Sequence, residues 1–241
     1  MEHTAHQLLA PVQQRCEAQA YDRSRGNRRP AFVLQQSLER LSDGTWQARR
    51  EWRAVGPDVV AAETVLWRQG LVESATEQAA IGETARAAVQ GGDFRCVLRG
   101  LRTGGSERER VLRLPHAAVT LGSLPLFIAQ HWSALLAGAA VPASYLVLKV
   151  QRAATVHLRR ASAAQTGELA IDATPANPLL RWIFGSTRCV FAADGPRLLR
   201  IEGLLDPRDV RPNGRWIEYL GSIEFAEPLD LSGLAHEGST P

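Results

Sequence analysis

Lysine is almost missing from this 241-residue chain: Lys149 stands alone, and the remaining basic residues are arginines. Against 25 acidic residues the 28 basic ones leave a formal net charge of +3, with no concentrated basic stripe. That excludes the usual electrostatic footprint of nucleic-acid binding. Cysteine is scarce as well. Cys16, Cys96 and Cys189 lie far apart without a C-x-x-C pair, so zinc-ligand spacing is absent. Buried thiols, or one bridge with one thiol left over, stay open as alternatives. Long apolar runs are missing too. The longest candidate, Leu124 to Val141, is interrupted by Gln130, His131 and Ser133 and is followed by Pro142. It is too short to span a bilayer and reads as a core helix.

The motifs of common chemistries are absent. There is no G-x-S-x-G elbow, no phosphate-binding glycine loop and no H-E-x-x-H. His3, His6 and His236 fall in the tails. His116, His131 and His157 have no local carboxylate partner, so neither a metal site nor a catalytic residue is assigned. Glu202, Glu218 and Glu224 alternate with apolar neighbours and read as outward residues of strands, paired with arginines such as Arg200 or Arg215. No cofactor is implied. The N-terminus lacks a basic segment followed by an apolar one. The expected location is therefore the cytoplasm, or the periplasm or envelope if the true start lies upstream.

What is present is a strand pattern built around one greasy helix. Ser123 suits an N-cap and Pro125 the first turn. Leu124, Phe127, Ile128, Trp132, Leu135 and Leu136 recur at helical spacing, and Gly138 closes the run. Before it, Phe32–Leu41, Thr45–Arg53, Val59–Arg68 and Leu71–Gln78 alternate around turn signals as a meander. Ile81–Gln90 stays open between helix and strand: its Ala and Glu content favours helix, and Gly91-Gly92 ends it either way; Phe94–Arg99 and Arg110–Leu114 follow as strands. After it come strands at Tyr145–Gln151, Ala154–Arg160, Leu169–Ala173, Cys189–Phe191, Arg197–Glu202 and Arg215–Phe225. A second short helix, capped by Asn177, holds Leu179, Leu180, Trp182, Ile183 and Phe184. It carries more apolar surface than a short surface helix needs, and suits a lid or a lipid-contact tip.

The organisation expected is a poorly structured lead-in over residues 1–30, one β-rich domain over 31–227, and a loose tail over 228–241. The fold class is mainly β (α+β): one curved antiparallel sheet or half-barrel enclosing the central apolar helix, with a second short helix.

The run Ser123-Leu-Pro-Leu-Phe-Ile-Ala-Gln-His-Trp-Ser-Ala-Leu-Leu-Ala-Gly138, with Val141-Pro142 and the later Arg197-Leu-Leu-Arg-Ile-Glu-Gly203, resembles bacterial proteins of unknown function. Those carry an "LPxFIxxHWxxLLAG" helix among strands, and their layout is similar to open-barrel lipoprotein carriers of the envelope. The resemblance spans roughly residues 121–225 and brings no catalytic residues. It implies an exported protein, although this chain shows no lipobox before Cys16. It also raises the expectation of a bound hydrophobic molecule or lipid. The residues expected to line such a site are Leu124, Phe127, Ile128, His131, Trp132, Leu135 and Trp182. Peripheral contact with a membrane is a further expectation. The competing reading is a structural or protein-interaction module with a filled core and no small ligand.

Overall fold

The computed structural model describes residues 13–23, 29–54, 56–100, 103–162, 165–210 and 216–237. Alternation of apolar and polar side chains runs through nearly every segment, and it folds as strands that bury one face. The first eight strands are β1 (Gln13–Asp22), β2 (Phe32–Arg40), β3 (Trp46–Arg53), β4 (Val59–Trp67), β5 (Leu71–Gln78), β6 (Glu83–Gln90), β7 (Asp93–Arg99) and β8 (Glu107–Leu112). The remainder are β9 (Ala118–Val119), β10 (Val141–Val147), β11 (Arg152–Ala161), β12 (Glu168–Pro175), β13 (Thr187–Ala192), β14 (Arg197–Val210) and β15 (Trp216–Asp230). Among the described residues four short α-helices accompany them: α1 (Leu124–Gln130), α2 (Trp132–Leu136), α3 (Pro178–Phe184) and α4 (Ser232–Glu237).

All fifteen strands belong to one sheet, in the order β8-β7-β6-β5-β4-β3-β2-β1-β15-β14-β13-β12-β11-β10-β9. Every pairing is antiparallel except the short one between β9 and β10. The chain thus builds two meandering arms that meet where β1 pairs with β15.

Contacts between distant strands show how strongly this sheet is bent. Seven steps separate β6 from β14, roughly 33 Å on a flat sheet, yet Arg208 of β14 forms an ion pair with Glu83 of β6. The two ends of the sheet also approach each other. Gln151, just before β11, donates from Nε2 to the carbonyls of Cys96 (2.9 Å) and Arg108 (2.7 Å) on β7 and β8. A side chain therefore caps part of the open edge, which discourages pairing with another chain. The sheet curls almost round without closing its ladder.

The structure corrects two expectations and decides one open reading. Residues 1–30 are more than a lead-in, because β1 occupies the junction of the two arms and buries Ala18 and Ala20. Its small inward residues gave little hydrophobic signal. The 228–241 stretch holds the end of β15 and α4, with Leu231 and Leu234 buried. Residues 83–90 are strand, since pairing with β5 and β7 overrides the helical propensity of their alanines.

The junction of the arms requires a glycine. A Cβ on Gly221, in the middle of β15, would lie 1.7 Å from the carbonyl oxygen of Tyr21 on β1. The obstacle is ladder backbone and cannot swing aside. Gly221→Ala is expected to cost about 1–3 kcal/mol or more, read as a lower urea midpoint. An unchanged midpoint would show that β1 does not press against β15 there.

Candidate functional site

The expected central helix forms, but in two pieces. α1 ends at Gln130 and α2 begins at Trp132, with His131 as the joint. Ser123 does not cap α1 from its side chain. Its Oγ instead accepts from the Thr120 backbone N–H at 2.7 Å, fixing the turn that leads into the helix. Within α1, residues Leu124 through Ala129 are all buried. Phe127 meets the Trp67 ring of β4 edge-on, with centroids 6.2 Å apart. Trp132 meets Phe191 of β13 in the same manner at 5.2 Å. The helical segment therefore touches both arms of the sheet. α4 packs against α1 from the C-terminal side.

Of the residues expected to line a ligand site, Leu124, Phe127, Ile128, Trp132 and Leu135 come together in this core. His131 is half-buried, its ring 4.4 Å from that of Phe127, and burial lowers its pKa. It is therefore neutral at physiological pH. Trp182 stands apart from them: it is 84% exposed on α3, beside the 60% exposed Leu179.

A second feature of the interior was missed in the sequence. Strand register lays a row of polar residues across the inward face, Cys16–Gln36–Arg50–Glu63–Thr76, one from each of β1 to β5. Apolar rows flank it, with Leu34–Trp52–Ala61 on one side and Leu38–Ala48–Val65 on the other. The signal was legible. In β3 the inward positions read Trp46, Ala48, Arg50 and Trp52, and in β4 Ala61, Glu63, Val65 and Trp67. One charge of each sign sits where the alternation asks for an apolar residue.

Arg50 and Glu63 are both buried, and they pair at 2.9 Å directly across the β3–β4 ladder. Glu63 Oε1 also accepts from Ser74 Oγ at 3.1 Å and Thr120 Oγ1 at 2.8 Å. Gly122 lets the turn before α1 come this close, because a Cβ there would sit 2.2 Å from Glu63 Oε2. Arg50 reaches the opposite arm too, with Nη1 2.8 Å from Asp206 Oδ2 on β14, and its guanidinium lies over the Trp52 ring, 5.3 Å from the centroid. Burial alone would favour loss of its proton. Asp206 and Glu63 more than offset this, so its pKa rises and the charge is held.

Next to this group, Gln78 donates to the Asp206 carbonyl at 2.9 Å and accepts from the Arg208 backbone N–H at 3.0 Å. Arg208 pairs with the buried Glu83. A bulge in the β14–β15 register between Leu204 and Arg208 accompanies this inward turn of β14. Two arginines thus face three carboxylates in the interior. Burial raises the Asp206 pKa to about 6, opposed by Arg50 and reinforced by Glu63.

The sign of the resulting pH dependence follows from linkage. A carboxyl whose folded pKa exceeds its unfolded value binds its proton more tightly in the fold, so its stabilising contribution is present at low pH and fades as pH rises through about 6. Wild type should therefore gain stability relative to Asp206→Asn when pH falls from about 7.5 to about 5. Paired melting curves at the two pH values measure it. A difference that stays constant with pH would remove Asp206 from the account.

No protein-family model and no curated protein sequence matches the chain. Among solved structures, a porin-like protein from Bacteroides uniformis ATCC 8492 is similar at 10% identity and a TM-score of 0.24. That match covers 88% of this chain and 95% of the other. A likeness of this size assigns neither a family nor an activity.

The available chemistry is that of the residues themselves. Among the described residues no group of three or more His, Cys, Asp or Glu could hold a metal ion, and no helix is long and apolar enough to cross a membrane. The three cysteines are free. Burial pushes the Cys16 and Cys96 thiols up to about 11 and raises Cys189 as well, which keeps all three protonated near neutrality. Two grooves open on the surface. One, of about 440 Å³, runs over β4–β8 and includes outward residues such as Thr64, Glu77, Arg86 and Arg99. The other, of about 310 Å³, lies where β8 and its following residues approach β10 and β11.

Proposed function

We propose that this protein binds a hydrophobic or lipid-like molecule without catalysing a reaction, in the setting of a bacterial envelope. In this reading the curved sheet acts as a half-barrel, and α1–α2 fills its concave face as a jointed plug. The observation that carries it is the helical segment itself. Its residues Leu124 to Ala129 are all apolar and buried, and it joins β4 to β13 through Trp67–Phe127 and Trp132–Phe191. A segment this apolar is expected to be buried away from water. The joint at His131 and the left-handed Gly138 (φ +86°) bound the part that would swing. Leu124, Phe127, Ile128, His131, Trp132 and Leu135 would then line the ligand. Leu179 and Trp182 form an exposed apolar tip on α3, suited to peripheral contact with a membrane.

A second reading has its own support. With Leu124 to Ala129 of α1 buried, the interior is filled as it stands, as in a structural or interaction module that takes no small ligand.

A fluorescent fatty acid separates the two readings. The protein should quench or blue-shift such a probe on binding. Trp132→Ala should weaken binding about tenfold or more; it also removes a buried ring packed on Phe191 and lowers the melting temperature, so binding is compared at a temperature where the variant is fully folded. Absence of any spectral change with wild-type protein would leave the filled-core module as the answer.

A further inference from the structure

The groove between the two ends of the sheet holds an unsatisfied polar group of its own. It is lined by Arg110, Arg113, Arg152 and Ser144, with Leu112 and Leu114 supplying an apolar wall. Among the described residues, no carboxylate lines it. Arg110 donates from Nη1 to the carbonyl of Gln151 at 3.5 Å, which brings its guanidinium beside the backbone of Arg152. Arg113 is 91% exposed and lies 3.4 Å from Asp93, a solvent-screened contact that leaves most of its donors available. Ser144 is 1% exposed, and its Oγ has no hydrogen-bond partner among the described residues. Its backbone N–H donates to the Ala117 carbonyl at 2.8 Å, and it stands opposite Thr155 in the β10–β11 pair. Buried hydroxyls are normally satisfied, so this one calls for a group that enters the groove.

We propose that this groove binds a phosphoryl group. Arg110 and Arg152 bring like charges to a groove with no carboxylate among its described lining residues, and like charges repel one another unless an anion joins them. A carboxylate has two oxygens, fewer than three guanidiniums and a hydroxyl can use. A phosphoryl group offers three or more acceptor oxygens and up to two negative charges, and planar guanidiniums match it with paired hydrogen bonds. The leucine wall suits the first carbons beyond the phosphate. Either a phospholipid headgroup or a soluble phosphorylated compound presents this chemistry. The site lies apart from α1–α2, and it stands whether or not the concave face takes a ligand.

Calorimetric titration of the full chain tests it with three probes: inorganic phosphate, monomeric dihexanoyl phosphatidic acid, and dihexanoylglycerol. Binding of both phosphate-bearing probes identifies a site that a soluble phosphate fills. Binding of phosphatidic acid alone identifies a headgroup site. In either case Arg110→Gln/Arg152→Gln and, separately, Ser144→Ala should weaken binding about tenfold or more. Ser144→Ala removes an unpartnered hydroxyl, so its melting temperature should hold or rise and its loss of binding cannot be ascribed to unfolding. Arg159→Gln/Arg160→Gln removes the same charge from exposed positions of β11 outside the groove, and it should leave affinity within about twofold. The proposal is overturned if neither phosphate probe binds, if dihexanoylglycerol binds as well as phosphatidic acid, or if the β11 variant loses as much affinity as the groove variants.

Discussion

Arg50→Met should destabilise the fold by about 3–5 kcal/mol, the cost of leaving buried charge without its partner. Glu63 and Asp206 would then face each other in the interior with no countercharge between them. The double variant Arg50→Met/Glu63→Met should recover part of that loss, because it replaces the cross-strand pair by apolar residues while Asp206 still lacks its Arg50 partner and Ser74 and Thr120 lose their acceptor. Urea unfolding of the three proteins gives both numbers. A single-variant loss below about 1 kcal/mol would mean that solvent reaches Arg50. The comparison also separates two roles for the pair. It ties β3 to β4 within one arm, and through Asp206 it ties that arm to β14 of the other. If the double variant unfolds as stably as wild type but less cooperatively, the pair fixes the curvature more than it adds stability.

Much of this architecture was legible in the sequence because β alternation is local. Turn signals such as Ser42-Asp-Gly44 separate β2 from β3 as expected, and the run from Leu124 gives a buried helix. What the sequence hid depends on register. The Arg50–Glu63 pair forms because residues thirteen apart fall opposite each other in the β3–β4 ladder. Asp206 joins them only because the sheet bends through four strand positions from β3 to β14. β1 was obscured by its composition: its inward residues are Cys16, Ala18 and Ala20, too small to announce a strand. The break at His131 was hidden for the opposite reason, since an unbroken helical pattern runs through both α1 and α2. Of the residues expected to line a site, five gather in the core around the helix, whereas Trp182 depends on a short helix whose packing no periodicity reveals.

Phe127→Ala is the second large expected effect. The side chain is 2% exposed, touches Trp67 edge-on and lies against His131. Truncation removes a buried ring and leaves a cavity between α1 and β4, for an expected loss of about 3–5 kcal/mol. Phe127→Leu keeps most of the volume and should cost about 1–2 kcal/mol, part of it the aromatic pair with Trp67. The ratio of the two losses reports how tightly α1 is seated. If Phe127→Ala costs less than Phe127→Leu is expected to, the helix docks loosely and the packing with Trp67 contributes little.

The claim that the interior takes a lipid-like molecule is tested most directly by native mass spectrometry of the protein purified from a bacterial host, with organic extraction of what it carries. The account predicts an added mass that extracts as an acyl-containing compound and is depleted in Trp132→Ala. A bare protein mass that stays bare after incubation with lipid would contradict it, and would assign the buried helix to a permanently filled core.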